Sequence, residues 1–367
     1  MQKIIRLNLL HKIKYVLISI LLISCKETKG QEHKDTADRF EWSAGVSAPK
    51  FYPAAGTVNF GYAGAGQSTP FDPGWGNDYG SFVTGDRYKP IPEEVFIDYA
   101  SATDPLPYKG TLKLPKEKIL QIFKENQKDF YKTHEFNPYD TFNSKIIVGM
   151  APGGWIRVWV RGNNDFQLKE VLKARLPSYQ DPKLNKAYGD RNDWEEKSIY
   201  WQKHGVPYEA WAENEKEYEY GFKFVTKNKK SIFYTSNVVS KDGWWTSFLA
   251  EGTAIDTLNT KNNTWKGKIP VDVSISWKDS ISGKIYDNKI AMPKTFEKLF
   301  KDNYSQNDLA VNSYIYIELE KNNKQVMIWF KTKKGKVKIL RFTGSLSENK
   351  ELFDDYPYPK EIEYFIK

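Results

Sequence analysis

The sequence predicts an α+β protein, rich in β-strands, with two tandem related domains that are each mainly an antiparallel sheet with one short helix. Three observations predict this class: runs of alternating apolar residues, short helical stripes, and the same order of these runs in both halves. We expect a signal peptide over 1–24, a lipidated tether over 25–39, a β-rich domain over 40–176, a connector over 177–219 and a second β-rich domain over 220–367.

Four blocks recur in the same order in the two halves. The first-half blocks are a strand at 91–99, a helix at 114–126 and a hairpin at 145–150 and 155–161; the second-half blocks are 269–277, 292–303, 314–319 and 325–331. Each helical block has apolar residues at i, i+3 and i+4, which place one apolar stripe on the helix. Four blocks in register indicate an internal duplication whose second copy has diverged.

Further strands precede the blocks, and one helix lies between the halves. Alternating runs at 42–48, 57–62, 220–226 and 231–237 predict these earlier strands. The polar connector contains a helix candidate at 193–204, where Asp193 can cap the start and Gly205 with Pro207 can end it.

The first 24 residues have the pattern of an export signal. Four basic and no acidic residues precede a short apolar run at 15–23, which is too short to span a membrane. The segment ends Leu22-Ile23-Ser24-Cys25, which resembles a bacterial lipoprotein signal in which the cysteine receives lipid and becomes the new N-terminus. The alternative is an ordinary secretory signal with a chance cysteine at this place.

The lipoprotein interpretation predicts a membrane anchor at Cys25. Each buried CH₂ of the acyl chains, such as palmitate, contributes about 0.8 kcal/mol to membrane binding. By resemblance to lipoprotein sorting rules, Lys26 is not the aspartate that marks inner-membrane retention, which favours the outer membrane. Which side of that membrane the protein faces, periplasmic or external, stays open.

Composition excludes several classes of protein. The 367 residues carry 55 basic and 46 acidic side chains, a formal net charge of +9, and removal of the four signal charges leaves +9 − 4 = +5. This charge forms no long basic block, so we expect no nucleic-acid partner. One cysteine excludes an internal disulfide framework, and four scattered histidines argue against a metal site. We expect no cofactor.

The first half contains a series of short motifs in a fixed order: Phe51-Tyr52-Pro53, Gly74-Trp75-Gly76, Pro90-Ile91-Pro92, Leu114-Pro115, and the stretch 148–154 leading to 158–162. With these motifs it resembles a family of bacterial lipoproteins known as domain of unknown function 2931. The chain departs from the family pattern at 98–101, and the second half lacks the Gly-Trp-Gly and Ala-Pro-Gly-Gly elements. The resemblance implies a Gram-negative envelope lipoprotein and carries over no catalytic residue. By analogy, some such lipoproteins are immunity partners of secreted toxins.

No catalytic constellation stands out. The glycine-rich stretch 61–66 lacks the Gly-Lys-Ser/Thr ending of a phosphate-binding loop and is interpreted as a loop. A glycosidase needs two carboxylates that face one cleft, and adjacent Glu93 and Glu94 on a strand face opposite sides. No serine sits in a nucleophile elbow. We therefore expect a protein that is not an enzyme.

Aromatic residues offer the better candidate for a binding surface. Residues 71–90 are interpreted as a long polar loop that carries Trp75, Asp78 and Tyr79, while Trp155 and Arg157 share one strand face. Exposed aromatics beside polar groups suit a protein hot spot or sugar stacking. The alternative for Trp75 is a lid on the sheet, and Trp159 and Trp329 are expected in the core.

The expected function is therefore binding of a protein partner by a non-enzymatic outer-membrane lipoprotein, with immunity against a secreted toxin as one specific form. The alternative is a surface lipoprotein that binds or processes a glycan through the loop aromatics.

Overall fold

The computed structural model describes residues 39–61, 63–82, 86–133, 144–161, 168–180, 195–213, 215–226, 231–249, 264–304, 313–347, 358–359 and 361–366. The predicted signal peptide, Cys25 and the tether up to residue 38 lie outside these ranges. Residues Phe40–Lys367 form one compact unit.

The first half contains ten strands and one helix among its described residues. They are β1 (Arg39–Ser47), β2 (Ala54–Asn59), β3 (Gly64–Phe71), β4 (Tyr79–Phe82), β5 (Tyr88–Pro90), β6 (Glu94–Ser101), β7 (Tyr108–Lys113), α1 (Lys116–Thr133), β8 (Ser144–Ala151), β9 (Trp155–Arg161) and β10 (Lys169–Arg175). A short 3₁₀ turn, Pro152–Gly154, connects β8 to β9.

The connector and the second half follow with a similar succession of elements. They are α2 (Glu195–His204), α3 (Tyr208–Ala212), β11 (Tyr218–Thr226), β12 (Ser231–Ser240), β13 (Trp245–Leu249), β14 (Thr264–Gly267), β15 (Pro270–Asp279), β16 (Ile285–Ala291), α4 (Phe296–Asn303), β17 (Tyr314–Leu319), β18 (Gln325–Thr332), β19 (Gly335–Thr343) and β20 (Ile362–Tyr364).

The strands form two sheets in each half. Sheet I has the order β10-β9-β8-β1-β4, with β5 also paired to β1, and sheet II has the order β3-β2-β6-β7. Sheet III has the order β14-β11-β17-β18-β19-β20, and sheet IV has the order β13-β12-β15-β16. The predicted β-rich α+β class with antiparallel sheets and few short helices is confirmed.

The same strand order occurs in both halves. The run β10-β9-β8-β1 of sheet I corresponds to β19-β18-β17-β11 of sheet III, and sheet II corresponds to sheet IV. The correspondence extends to direction, because β1 pairs with β8 and β11 with β17 in parallel, while their neighbours are antiparallel. Descent of the second half from a copy of the first stays a prediction, since shared strand order alone does not show descent.

A separate hydrophobic core lies inside each half, and the predicted helices pack against these cores. In the first, Phe123 of α1 is fully buried and contacts Phe40 edge-to-face with ring centroids 5.5 Å apart. In the second, Phe300 of α4 is fully buried and stacks on Phe330 at 4.9 Å. Burial of such a ring contributes about 1.5–3 kcal/mol. The apolar stripes read from the sequence therefore identify the inward faces of both helices.

Two segments interpreted as loops contain strands. Residues 71–90 include β4 and β5, which both pair with β1 at the margin of sheet I. Residues 64–66 open β3, which pairs with β2. A β-carbon on Gly66 would lie 3.0 Å from Thr57 Cα, so the glycine allows a close approach of the strands. Glycine has low strand propensity, which explains why the alternation was not visible.

Within the described ranges, no helix is both long and apolar enough to cross a membrane. The same residues contain no group of three His, Cys, Asp or Glu side chains placed to hold a metal ion.

Candidate functional site

Trp75 lies in the interior and not on an exposed surface. Its side chain is 4% exposed, and its ring meets Trp159 edge-to-face with centroids 5.0 Å apart. Its backbone N–H donates to the carbonyl of Gly243 in the second half at 2.8 Å. Of the two expectations for Trp75, the lid on the sheet agrees with the structure and the exposed binding surface is wrong. The indole covers the outer face of sheet I, the face that points away from sheet II.

Arg157 is also buried, with 1% of its surface exposed. One guanidinium nitrogen donates to both carboxylate oxygens of Glu170, at 2.9 and 2.8 Å. The other donates to the backbone carbonyls of Trp211 and Glu213, at 2.9 and 3.1 Å. The expectation that Arg157 offers a free charge to a partner is wrong, because the end of α3 covers it and uses its donors.

The remaining three predicted surface residues have different surroundings. Trp155 is half-buried, with the guanidinium of Arg175 5.4 Å from its ring centroid. Asp78 accepts ion pairs from Lys145 and Arg161, each at 2.5 Å. Burial alone would raise the pKa of Asp78, but these two cations together hold it below its usual value. The structure thus shows Asp78 as one member of an ion cluster at the margin of sheet I.

Tyr79 is exposed, and it is the most accessible of the five predicted residues. It is 45% exposed and stacks on Phe71 with ring centroids 5.8 Å apart and an interplanar angle of 8°. The five residues therefore do not form one surface. Trp75, Trp155 and Arg157 lie under the connector or beside it, whereas Tyr79 faces solvent.

A third apolar cluster, here called the junction cluster, joins the first half, the connector and the second half. Its buried members are Phe51, Tyr52, Trp75, Ile147, Ala151, Trp159, Tyr200, Trp211 and Val239. Trp211 of α3 donates its indole N–H to the carbonyl of Asp242 in the second half at 2.9 Å. Sheet I is consequently buried on both faces, by its own core on one side and by the junction cluster on the other.

The glycine turn after β8 also belongs to this junction. Gly153 and Gly154 have φ of 78° and 80°, which side chains other than glycine rarely adopt. The carboxylate of Asp104 accepts the N–H of Gly153 at 2.7 Å and the hydroxyl of Tyr208, in α3, at 2.8 Å. Burial and the hydrogen bond to Asp104 raise the pKa of Tyr208 to about 12. The turn therefore serves as an attachment point for α3.

The outer face of sheet III, which corresponds to the covered face of sheet I, presents aromatic rings and lysines. We call it the lysine–aromatic face, and its residues are Lys223, Tyr314, Tyr316, Trp329, Lys331, Lys336 and Lys338. Register places four of them in one row across four strands, because Lys223 pairs with Tyr316, Tyr316 with Trp329, and Trp329 with Lys338.

Cation–π contacts hold the lysines of this face over the rings. The Lys336 ammonium lies 4.2 Å from the Trp329 ring centroid, and the Lys223 ammonium lies 4.4 Å from that of Tyr314. Lys338 lies 5.4 Å from Trp329. The three aromatic rings are half-buried and the four lysines are exposed. Such contacts contribute about 0.5–1 kcal/mol each at exposed sites, so the rings are shielded only in part.

Trp159 and Trp329 occupy equivalent positions on the two sheets. Trp159 pairs with Ile147 between β8 and β9, as Trp329 pairs with Tyr316 between β17 and β18. Trp159 is buried under Trp75, but Trp329 is half-buried, and its indole N–H has no acceptor among the described residues. The prediction that Trp329 belongs to the core is therefore wrong: it is half-buried on the outer face, whereas its counterpart Trp159 is buried under Trp75.

A cavity of about 230 Å³ lies between α3 and α4. Its polar lining includes Glu215, whose pKa is raised to about 8 by burial and by the nearby carboxylate of Asp242. Asp242 itself is ion-paired with Lys268. A raised pKa in a cavity is a feature of functional sites, but ion-pair networks also produce it.

A buried histidine–aspartate contact lies on the other side of the connector. His204 Nε2 is 3.4 Å from Asp272 Oδ2, which also accepts the hydroxyl of Tyr358 at 2.9 Å. The ring of Tyr200 lies tilted against that of His204, with ring centroids 4.3 Å apart. These contacts join the end of α2 to Asp272 in the second half.

The lysine–aromatic face was missed in the sequence, although a signal for it exists. The run 314–318 alternates tyrosine with isoleucine before a glutamate, and 336–338 places lysines two residues apart. Alternation shows that these residues share a face. It does not show whether another segment covers that face.

Comparison with known proteins identifies the first half. A family model described as protein of unknown function (DUF2931) matches residues 26–209, half of the chain. The chain belongs to this family. No curated protein and no solved structure matches it.

The DUF2931 match includes the outer face of sheet I and excludes the lysine–aromatic face of sheet III. It covers sheets I and II, continues through α2 and ends at residue 209, within α3. The residues that carry the family resemblance include Tyr52, Trp75 and Gly153, which all lie at the junction. The lysine–aromatic face lies outside the matched range.

The buried Arg157 generates a prediction about stability. Arg157→Gln should lower the free energy of unfolding by about 3 kcal/mol, because Glu170 loses its partner and two backbone carbonyls lose their donors. Urea denaturation of the purified protein measures this change. Lys173→Gln, on the exposed neighbour of Arg157 in β10, is the matched control and should have an effect within about 0.5 kcal/mol. Equal effects of the two variants would contradict the proposed role of Arg157.

The raised pKa of Glu215 generates a prediction about pH. Between its ordinary value and about 8, the folded protein keeps a proton on Glu215 that the unfolded chain has released. Stability therefore falls as pH rises through this window. Glu215→Gln should remove this loss, so that the variant is more stable than the wild type at pH 9, by on the order of 2 kcal/mol, and nearly equal at pH 5.

Urea denaturation at several pH values between 5 and 9 measures the effect. Glu213→Gln is the matched control, because Glu213 lines the same cavity and is exposed. The same stability difference at pH 5 and pH 9 for Glu215→Gln would rule out a proton held on this side chain.

Proposed function

We propose that the protein is a lipid-anchored protein of the bacterial cell envelope that binds a protein partner and catalyses no reaction itself. The anchor is the lipidated Cys25, released from the signal at 1–24, and residue 26 favours the outer membrane. The support for the anchor is the sequence pattern, with the only cysteine of the chain at the cleavage position.

One observation carries the partner-binding part of the proposal: in the described part of the chain, the lysine–aromatic face has exposed lysines over half-buried rings, whereas the connector covers its counterpart. On sheet I, Trp75 and α3 lie over Trp159 and Arg157. On sheet III, the described contacts of the Trp329 ring are with lysine side chains, and Tyr316 contacts lysines and the ring of Tyr314, whose centroid is 6.3 Å away. Half-buried Trp and Tyr are the residues that dominate protein–protein binding energy.

Immunity against a secreted toxin is one specific form of this function. It agrees with the proposed anchor and binding face, and it depends on analogy alone.

Carbohydrate binding is the second candidate function, and fewer of the predicted aromatic residues now support it. Trp75, the main platform for a sugar, is buried, whereas Tyr79 is exposed beside Asp78. A glycan array probed with the wild type and Tyr79→Ala separates the two functions, because sugar binding at this site requires the exposed ring.

The anchor is tested by substitution of the cysteine. Cys25→Ser should move the protein from the membrane fraction to the soluble fraction of fractionated cells, because the side chain that receives lipid is missing. Labelling with a radioactive or alkyne-tagged fatty acid should be lost in the same variant. A Cys25→Ser protein that stays with the membrane and still takes up label would contradict the proposed anchor.

The partner is tested by site-specific photo-crosslinking in intact cells. A photo-reactive phenylalanine at position 316 should give protein adducts, because Tyr316 lies at the centre of the lysine–aromatic face. With the same probe, Trp329→Ala should reduce the adducts at least tenfold, as expected for loss of a hot-spot tryptophan worth about 2 kcal/mol or more.

The control probe replaces Ile281, which is 67% exposed at the turn between β15 and β16. The same set of proteins captured from both positions, or no protein captured at position 316, would contradict the proposed function.

A further inference from the structure

The lysine–aromatic face carries excess positive charge. Of its four lysines, Lys336 pairs with a carboxylate, that of Glu318 at 3.2 Å. Among the residues that the structure describes, Lys223, Lys331 and Lys338 make no ion pair with a carboxylate, and their contacts are with aromatic rings. Charge complementarity therefore calls for an anionic partner, since matching potentials speed association and select against wrong partners.

The face offers side chains and not backbone groups. Its central strands, β17 and β18, are paired on both sides within sheet III. A partner in extended conformation cannot add to these strands, and its own backbone groups would lie against the rings without a partner. A helix brings its backbone hydrogen bonds already formed, so it suits this face better. The chain itself shows such an arrangement on sheet I, where the end of α3 meets Arg157.

The row across the four strands defines a spacing. Neighbouring strands are about 4.8 Å apart, so Lys223 and Lys338 originate about 14 Å from each other, with Tyr316 and Trp329 between them. On a helix, residues seven and eleven positions apart share one face and are separated by about 10 and 16 Å. Residues at i+3 and i+4 lie between them on the same face.

We propose that the partner binds this face with an acidic amphipathic helix. Carboxylates at i and at i+7 or i+11 contact Lys223 and Lys338, and apolar side chains at i+3 and i+4 contact Tyr316 and Trp329. This inference rests on the proposed function and adds to it the chemistry and the conformation of the partner.

An anionic lipid surface shares the charge of this partner, and two observations favour the protein. The corresponding face of sheet I is covered by polypeptide, through Trp75 and α3. The row also places its two lysines at the ends and its rings in the centre, an order that a helix can match residue by residue.

The test uses the full-length protein in intact cells, with the photo-reactive residue at position 316. Adducts are digested, and the captured peptide is sequenced by mass spectrometry. We expect a protein peptide with acidic residues seven or eleven positions apart and apolar residues between them. Lys223→Glu combined with Lys338→Glu should reduce the adduct at least tenfold, and Lys223→Arg combined with Lys338→Arg should retain it, because arginine keeps the charge.

The matched control is Lys284→Glu combined with Lys294→Glu, which makes the same change of net charge at two exposed lysines outside the face. It should leave the adduct unchanged, and thermal unfolding should show that all variants are folded. A captured peptide without this acidic pattern, or capture that survives the charge reversal at Lys223 and Lys338, would overturn the inference while protein binding stands.

Failure of the proposed function gives a different result. A lipid adduct at position 316, or binding of the purified protein to phosphatidylglycerol vesicles that is lost with the same charge reversal, would assign the face to a membrane and remove both proposals. No adduct of any kind at position 316 would also remove both.

Discussion

The architecture depends on the covering of the outer face of sheet I. That face carries Trp159 and Arg157, which are both buried. A buried guanidinium needs acceptors for its N–H groups, and Glu170 accepts only from one of the nitrogens. The carbonyls at the end of α3 accept hydrogen bonds from the second terminal nitrogen. The outer face of sheet I is therefore covered only when the connector is in place. This agrees with a family match that continues to residue 209.

The same constraint explains why the family motifs cluster at the junction. The glycine turn after β8 brings Asp104 within reach of Tyr208, and a β-carbon on Gly154 would lie 2.4 Å from the carbonyl of Leu176. A β-carbon on Gly149 would lie 2.5 Å from the Trp159 ring. These motif glycines are required by close packing of backbone and rings. In this chain Tyr52, Trp75 and Gly153, three of the residues that carry the DUF2931 resemblance, lie where the connector is attached.

The sequence predicts those parts of the fold that depend on local periodicity. The alternation at 145–150 and the apolar stripe at 119–123 each identify the inward residues, because one face of a strand or helix must be apolar whatever lies beyond it. What covers the outer face depends on distant parts of the chain. Trp75 and Arg157 were expected on a surface, but the carbonyls that bind Arg157 belong to α3, more than 50 residues away. The helix α3 has only five residues, which is too short to give a periodic signal in the sequence.

Trp159 and Trp329 occupy equivalent positions on the two sheets, but different groups shield them from water. Both occupy the same place on the outer face of a four-strand run, and both need the indole shielded from water. Sheet I shields Trp159 with other aromatic rings. This shielding is permanent, because those rings belong to the junction cluster. Sheet III shields Trp329 with Lys336 and Lys338, whose ammonium groups lie 4.2 and 5.4 Å from the ring centroid. These contacts are worth only about 0.5–1 kcal/mol each. Lysine side chains of this kind keep the face hydrated in the free protein, and their displacement costs little free energy. The half that lies outside the family match is therefore the half in which, among the described residues, lysine side chains and not the connector lie over the outer face of the sheet.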